Sequence, residues 1–263
     1  MPQINPAPAQ PPAQAVVAAE LLSPSRSAEW RPALPPAEAI HREIFASADE
    51  ATGTALALAF ALDHLRAAAP DPLADAPDER LWLWVQDREA IRRSGRPYRP
   101  GLPHALRHRL VHVAASTTED ALFALEEGLR CRDLAFVIGE ITGNPKALDM
   151  TASRRLGLAA EKHGVPLWLV RLDARRDLSS ARQRWAVRAA VSPPSRWNPA
   201  APGVPSWQAE LFRARQHPPG TWVLRDDGNL VAERGGPMLP YSKPLRRQAE
   251  AGSSALARLR ASA

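Results

Sequence analysis

The chain has 263 residues, enough for one core of about 180–200 residues plus tails. Its net charge of +6 rests on 31 arginines against 3 lysines, a balance that suits nucleic acid or an acidic partner and equally reflects a GC-rich coding bias. No run of about 18 uncharged apolar residues is present, which excludes a membrane-spanning helix, and the single cysteine, Cys131, excludes an internal disulfide or a Cys-rich zinc site. A lone cysteine reads as a buried, inert thiol in a reducing cytoplasm. The N-terminus lacks a basic segment followed by an apolar block, so no secretory signal is expected.

Residues 1–38 hold nine prolines with Ala, Gln and Ser between them. Proline removes donors and fixes φ, so a disordered Pro/Ala-rich tail is expected there. From 39 to 192 short apolar runs alternate with helix-like runs. A strand over 40–45 leads through a loop into a helix over 52–65 that is apolar on nearly all sides and therefore buried. Residues 81–85, Leu-Trp-Leu-Trp-Val, form a continuous apolar strand, as inside a sheet covered on both faces. A strand at 110–114 is followed by Ser116-Thr117-Thr118-Glu119, a capping box with Ser116 as N-cap. The helix it opens runs through Leu122, Leu125 and Leu129. A third apolar strand spans 134–138. Asp149 caps a helix that stops at Gly164, and strands follow at 165–171 and 184–191.

This alternation predicts an α/β fold with a mainly parallel sheet and helices on both faces. Residues 192–206 contain five prolines and read as an extended arm. A short helix over 207–216 and a hairpin over 221–233, turning at Asp226-Asp227-Gly228-Asn229, are expected to pack on the core as a unit spanning 193–235. Residues 236–263 form a basic tail whose end, 245–259, is able to fold as a helix on a partner.

In such a sheet the loop after the first strand is the natural ligand site. A phosphate-binding loop needs glycines, a lysine and a Ser/Thr hydroxyl for magnesium. Counted from Gly53, the first glycine of that pattern is Ala48, the lysine is Thr54, and the Ser/Thr is Ala55. Asp49 and Glu50 add two carboxylates that repel a triphosphate. At roughly 1.5–3 kcal/mol per charged hydrogen bond, the lost cation alone weakens nucleotide binding severely. From the loop alone, an unrelated strand-to-helix connection reads the same way. Glu140, just past the 134–138 strand, stands where a metal-binding acid would, or is a solvated strand end. Asp87 and Glu89 read as remnants of a water-activating pair or as surface charge. His104 and His108 share helical i, i+4 spacing without the glutamate of a metalloprotease motif, so a solvated face is expected and no metal. No nucleophile constellation is present, and no catalytic residue or cofactor is expected.

Glu43-Ile44-Phe45 with its loop, the apolar helix and Leu81-Trp82-Leu83-Trp84-Val85 begin an ordered set. It continues through Gly95-Arg96-Pro97-Tyr98, Pro100-Gly101-Leu102, Glu126-Glu127-Gly128-Leu129-Arg130 and Val137-Ile138-Gly139-Glu140. Leu148-Asp149 with Thr151, Arg154-Arg155-Leu156 and Arg184-Trp185 complete it. Taken together this set resembles the ImuA proteins, RecA-like (also SulA-like) accessory factors of bacterial SOS mutagenesis, over about residues 39–225. The resemblance implies a RecA-like core with a degenerate phosphate loop and a non-enzymatic cytoplasmic adaptor in error-prone translesion DNA synthesis and DNA repair after DNA damage. The implied partners are an ImuB-like inactive Y-family polymerase and a DnaE-type error-prone polymerase, with RecA and DNA as further candidates. Family contacts to ImuB lie near the C-terminus, which singles out the basic tail and, within it, Arg246, Arg247, Leu256, Arg258, Leu259 and Arg260. RecA places mobile DNA-binding loops at positions matching 141–147 and 172–184 here. Arg175, Arg176, Arg182 and Arg184 in the second are candidate phosphate contacts; an ordinary solvated loop is the other reading. Trp185 is expected in the core, with base stacking as the alternative. A SulA-like inhibitor of cell division and a RecA-like DNA-binding protein with residual nucleotide binding are the alternative functions.

Overall fold

The computed structural model describes residues 40–68, 78–195, 197–198, 200–215, 217–228 and 230–235. The tails at 1–38 and 236–263, with the six partner residues Arg246 to Arg260 named above, lie outside the described residues. In chain order the elements are β1 (His41–Ala46), α1 (Thr52–Ala68), β2 (Leu81–Gln86), α2 (Arg88–Ser94), a 3-10 turn (Arg99–Gly101), α3 (His104–Arg107) and β3 (Leu110–Ala114). Then come α4 (Thr118–Arg130), β4 (Leu134–Thr142), α5 (Met150–His163), β5 (Leu167–Leu172), β6 (Gln183–Ala189), β7 (Ser206–Ala214), β8 (Gly220–Asp226) and β9 (Leu230–Arg234).

All nine strands form one sheet in the order β3-β2-β4-β5-β1-β6-β7-β8-β9. β3 to β6 in that order are parallel, and β7, β8 and β9 add antiparallel strands. The mainly parallel, helix-flanked α/β fold read from the sequence is the one observed. Side chains alternate between the faces of a strand, and β2 shows the consequence. Trp82 and Trp84 join Phe136, Trp168 and Trp185 beneath α1, while Leu83 and Val85 join Leu122, Leu125 and Leu129 of α4 and Leu156 of α5. Burial on both faces is why β2, β4 and β5 read as unbroken apolar runs. The edges of the sheet are β3 and β9.

The helix ends follow from local chemistry. The Asp149 carboxylate accepts from the Ala152 N–H at 2.7 Å, and Gly164 closes α5 in the left-handed region at φ 73°, where a Cβ is costly. The N-cap of α4 is Thr117, one residue past the expected Ser116; its hydroxyl accepts from the Asp120 N–H at 3.1 Å. Cys131, expected to be buried, is the exposed C-cap of the same helix.

The helix expected over 207–216 is strand β7. Trp207, Ala209 and Leu211 are buried while Gln208, Glu210 and Phe212 are half-buried, a period of two. Ala, Gln, Glu, Leu and Arg are strong helix formers, and that propensity masked the alternation that decides the element. The hairpin is formed as expected, with Gly228 at φ 102° in its turn. Through β7 the 193–235 segment extends the same sheet, and Trp222 of β8 lies 5.8 Å from Trp185.

Candidate functional site: the loop after β1, closed by its own chain

The loop between β1 and α1 sits at the C-terminal end of β1, and Gly53 is the second residue of the helix. A Cβ on Gly53 would stand 2.8 Å from the Ala46 Cβ and 2.8 Å from a Val170 methyl. Glycine is therefore required for α1 to approach the sheet, whatever the loop binds. Gly53→Ala is expected to cost about 1–3 kcal/mol by overpacking, despite the ~1 kcal/mol that alanine gains in helix propensity. The urea midpoint should fall at unchanged slope.

Thr54, in the lysine position, donates its hydroxyl to Glu140 Oε1 at 2.7 Å. Glu140 lies inside β4 and is 1 % exposed, so it is neither a solvated strand end nor past the strand as expected. β4 runs four residues beyond the apolar segment that marked it, because Gly139 and Glu140 are paired with β2 and β5. The Trp84 indole donates to Glu140 Oε1 at 2.9 Å and the Gln86 amide to Oε2 at 3.0 Å. Gln86 in turn donates to the Gly95 carbonyl and pairs with the His112 imidazole. Burial raises the Glu140 carboxyl above its usual range; the three hydrogen bonds oppose this, and nearby Asp87 adds to it. Ala55 is exposed and offers no hydroxyl.

The mouth of the loop is occupied as well. The Ala48 N–H donates to Asp173 Oδ1 at 3.0 Å. Asp173 follows β5 with φ at 50°, the one non-glycine at positive φ among the described residues. Its other oxygen pairs with Arg93 at 3.0 Å, and Arg93 also lies 3.8 Å from Asp49. Glu50 accepts from the Ala189 N–H at 3.1 Å. A loop N–H of the kind that faces an anion thus faces a carboxylate of the same chain. Asp173→Ala is expected to lose about 1–3 kcal/mol through the orphaned Ala48 N–H. Asp173→Gly should lose about 1 kcal/mol less, since glycine accepts positive φ without strain; parallel thermal melts of the two variants check this.

Asp87 is the N-cap of α2, accepting from the Ala90 N–H at 2.7 Å and from the Thr142 N–H at 2.9 Å. It ties α2 to the end of β4. Glu89 pairs with Arg92 on the surface. His104 and His108 are exposed with rings 6.0 Å apart, and no cluster of three or more metal-ligating side chains occurs among the described residues.

The four candidate DNA-contact arginines are not gathered into one patch. Arg175 is exposed, and its backbone is held by both ends of the Asn144 amide. Arg176 is exposed, pairs with Glu210 at 2.6 Å and lies 4.0 Å over the Phe212 ring. Arg182 is half-buried against Glu161. Arg184 is in β6 rather than in the loop, is 3 % exposed, and binds Glu43 at 2.7 Å. Burial removes it from any phosphate contact. Trp185 packs in the core as expected, against Phe60 and Trp222.

What the sequence reading missed is the buried ionic cluster to which Arg184 belongs. Glu43 of β1 is fully buried, 2.7 Å from Arg184 and 3.5 Å from Arg171 of β5. Ser179 donates to Glu43 at 2.8 Å, and Asp177 pairs with both arginines. Those arginines, with the Asn144 amide, hold the Asp177 carboxyl below its usual range against partial burial. The available signal was a charge inside an apolar strand, as at Arg171, because a buried charge requires a partner. On the opposite face Arg42 is buried, donates to Gln183 at 3.1 Å and lies 5.2 Å from the Trp168 ring; burial lowers its guanidinium to about 9.

No protein-family model matches the chain. Two proteins named Protein ImuA, from two strains of Caulobacter vibrioides, are each 34% identical to it over 135 residues. The match takes in 48% of this chain and 52% of each relative, so the chain spans about half the length of the curated relatives it matches. Over that half of its length the chain is similar to the ImuA proteins, the family its ordered motifs resemble.

Proposed function

We propose that the chain is a non-enzymatic accessory protein of SOS-induced, error-prone translesion DNA synthesis. It acts in the cytoplasm as an adaptor between an ImuB-like inactive Y-family polymerase and a DnaE-type error-prone polymerase. The observation that carries this reading is the loop itself, in a chain similar to ImuA. Thr54 occupies the lysine position and is bonded to Glu140, while Asp173 takes the Ala48 N–H. A core without a phosphate cradle retains its surfaces for macromolecular partners and does not turn over ATP. Among the described residues no helix is long and apolar enough to cross a membrane.

The test is co-purification with the ImuB-like protein of the same organism, using the full chain and a version cut after Gly236. Stable association with the full chain and its loss on truncation are expected, which assigns the contact to the basic tail. Association that survives truncation keeps the adaptor and moves the contact to the core. No association in either form overturns the assignment and favours the SulA-like reading, in which overexpression filaments cells without DNA damage.

A further inference from the structure

A groove of about 360 Å³ runs along α5, bounded on its far side by residues 179–182 and the end of β7. Met150, Arg154 and Leu158 follow one another at four-residue spacing along it, so they line one helical face over roughly 12 Å. Met150 is 47 % and Leu158 55 % exposed. Across the groove stand Arg213 and Arg215, both exposed. No carboxylate pairs with Arg154, Arg213 or Arg215 among the described residues, whereas neighbouring Arg155 is held by Glu126. The one acid in the lining, Glu161, is already neutralised by Arg182. Gly157 and Ser180 also line the groove, and an added Cβ at Gly157 would meet the Ser180 hydroxyl at an ordinary contact distance of 3.4 Å.

The geometry points to this groove as a docking site for an acidic, apolar-anchored peptide segment of a partner protein. The apolar side chains of the segment rest on Met150 and Leu158, and its carboxylates meet Arg154, Arg213 and Arg215 in the forked geometry that guanidinium groups favour. Charge complementarity selects an anion, and two facts select a peptide over a nucleic-acid strand. Among the described residues no aromatic ring lines the groove to stack a base, and two of its exposed side chains, Met150 and Leu158, are apolar; single-strand binders rely on stacking platforms. The inference stands on the groove alone. Its failure leaves the adaptor reading, tested by co-purification, untouched.

A phage-displayed library of random peptides about twelve residues long, selected on the full-length protein, tests it. Recovered peptides are measured by fluorescence anisotropy on the wild type, on the Arg154→Glu/Arg213→Glu/Arg215→Glu variant, and on Leu158→Ser. The expected result is enrichment of sequences that combine carboxylates with bulky apolar residues, each binding at least about tenfold more weakly to both variants. All the substituted side chains are on the surface, so melting temperatures should stay near the wild-type value. If the charge-reversed protein fails to fold, Leu158→Ser alone carries the comparison. No enrichment, enrichment without carboxylates, or equal binding to the folded variants overturns the proposal. So does a labelled single-stranded oligothymidylate that binds more tightly than the peptides and is lost on charge reversal, which assigns the groove to nucleic acid.

Discussion

Replacing Glu43 with leucine is expected to cost about 3–5 kcal/mol, because it strands two buried guanidinium groups. Arg171 is 1 % exposed and Arg184 3 %, so neither is able to turn to water for a substitute. What remains to them is the partly exposed Asp177, at 3.3 Å from Arg171 and 3.5 Å from Arg184, and for Arg171 also the Gly143 carbonyl at 3.1 Å. Against a domain stability of about 5–15 kcal/mol, this loss brings the folded state close to failure. The double variant Glu43→Leu/Arg184→Met removes both charges of the shorter pair and should recover a large part of the loss, since apolar replacements of buried pairs are often neutral. Urea unfolding of the three proteins measures this. A Glu43→Leu loss below about 1 kcal/mol would show that water reaches the cluster and solvates the arginines.

Acid should unfold the protein partly through His41. Its imidazole is fully buried in β1 and lowered from 6.5 to about 4. Burial is the main cause; Glu43 and the Ser153 backbone oppose the shift, and Arg171 and Arg184 add to it. The folded protein therefore holds this ring neutral between pH 6.5 and 4, where the unfolded chain protonates it. The unfolded state binds more protons in that window, so stability rises with pH across it and is lost as pH falls. The size is about 3 kcal/mol for His41 alone. His64, lowered to about 4 chiefly by burial, works in the same direction. His41→Leu should flatten the dependence between pH 6.5 and 4 relative to the wild type. At pH 7, where the ring is neutral in the folded and the unfolded chain, the titration contributes nothing to the difference between the two proteins. Equal pH slopes for the two proteins would remove His41 from the account.

The parts of the fold legible in the sequence are those decided locally. β2 announces itself as an unbroken apolar run because both faces of it are covered. α5 announces itself by its two ends, Asp149 and Gly164. β7 was hidden because residues good for helices occupy a strand whose alternation is set by the burial of Trp207, Ala209 and Leu211 in the core. That positions 54 and 55 carry neither the lysine nor the hydroxyl of a phosphate loop was legible position by position. The groups that fill it were not: Glu140 is 86 residues from Thr54, and Asp173 is 125 residues from Ala48. Likewise Glu43 and Arg184, 141 residues apart, meet only because β1 and β6 are neighbours in a register that puts them opposite each other. Spacing along a chain carries no information about such pairs until the strand order is known.

The Thr54–Glu140 bond also limits what a single substitution in the loop would achieve. A lysine placed at position 54 would meet the buried Glu140 carboxylate and be neutralised there, with no gain in affinity for a triphosphate. Ala55 would still lack its hydroxyl, and Asp173 would still cover Ala48. Positions 48, 54, 55 and 173 would have to change together before an anion found an open loop, so no single substitution creates the site.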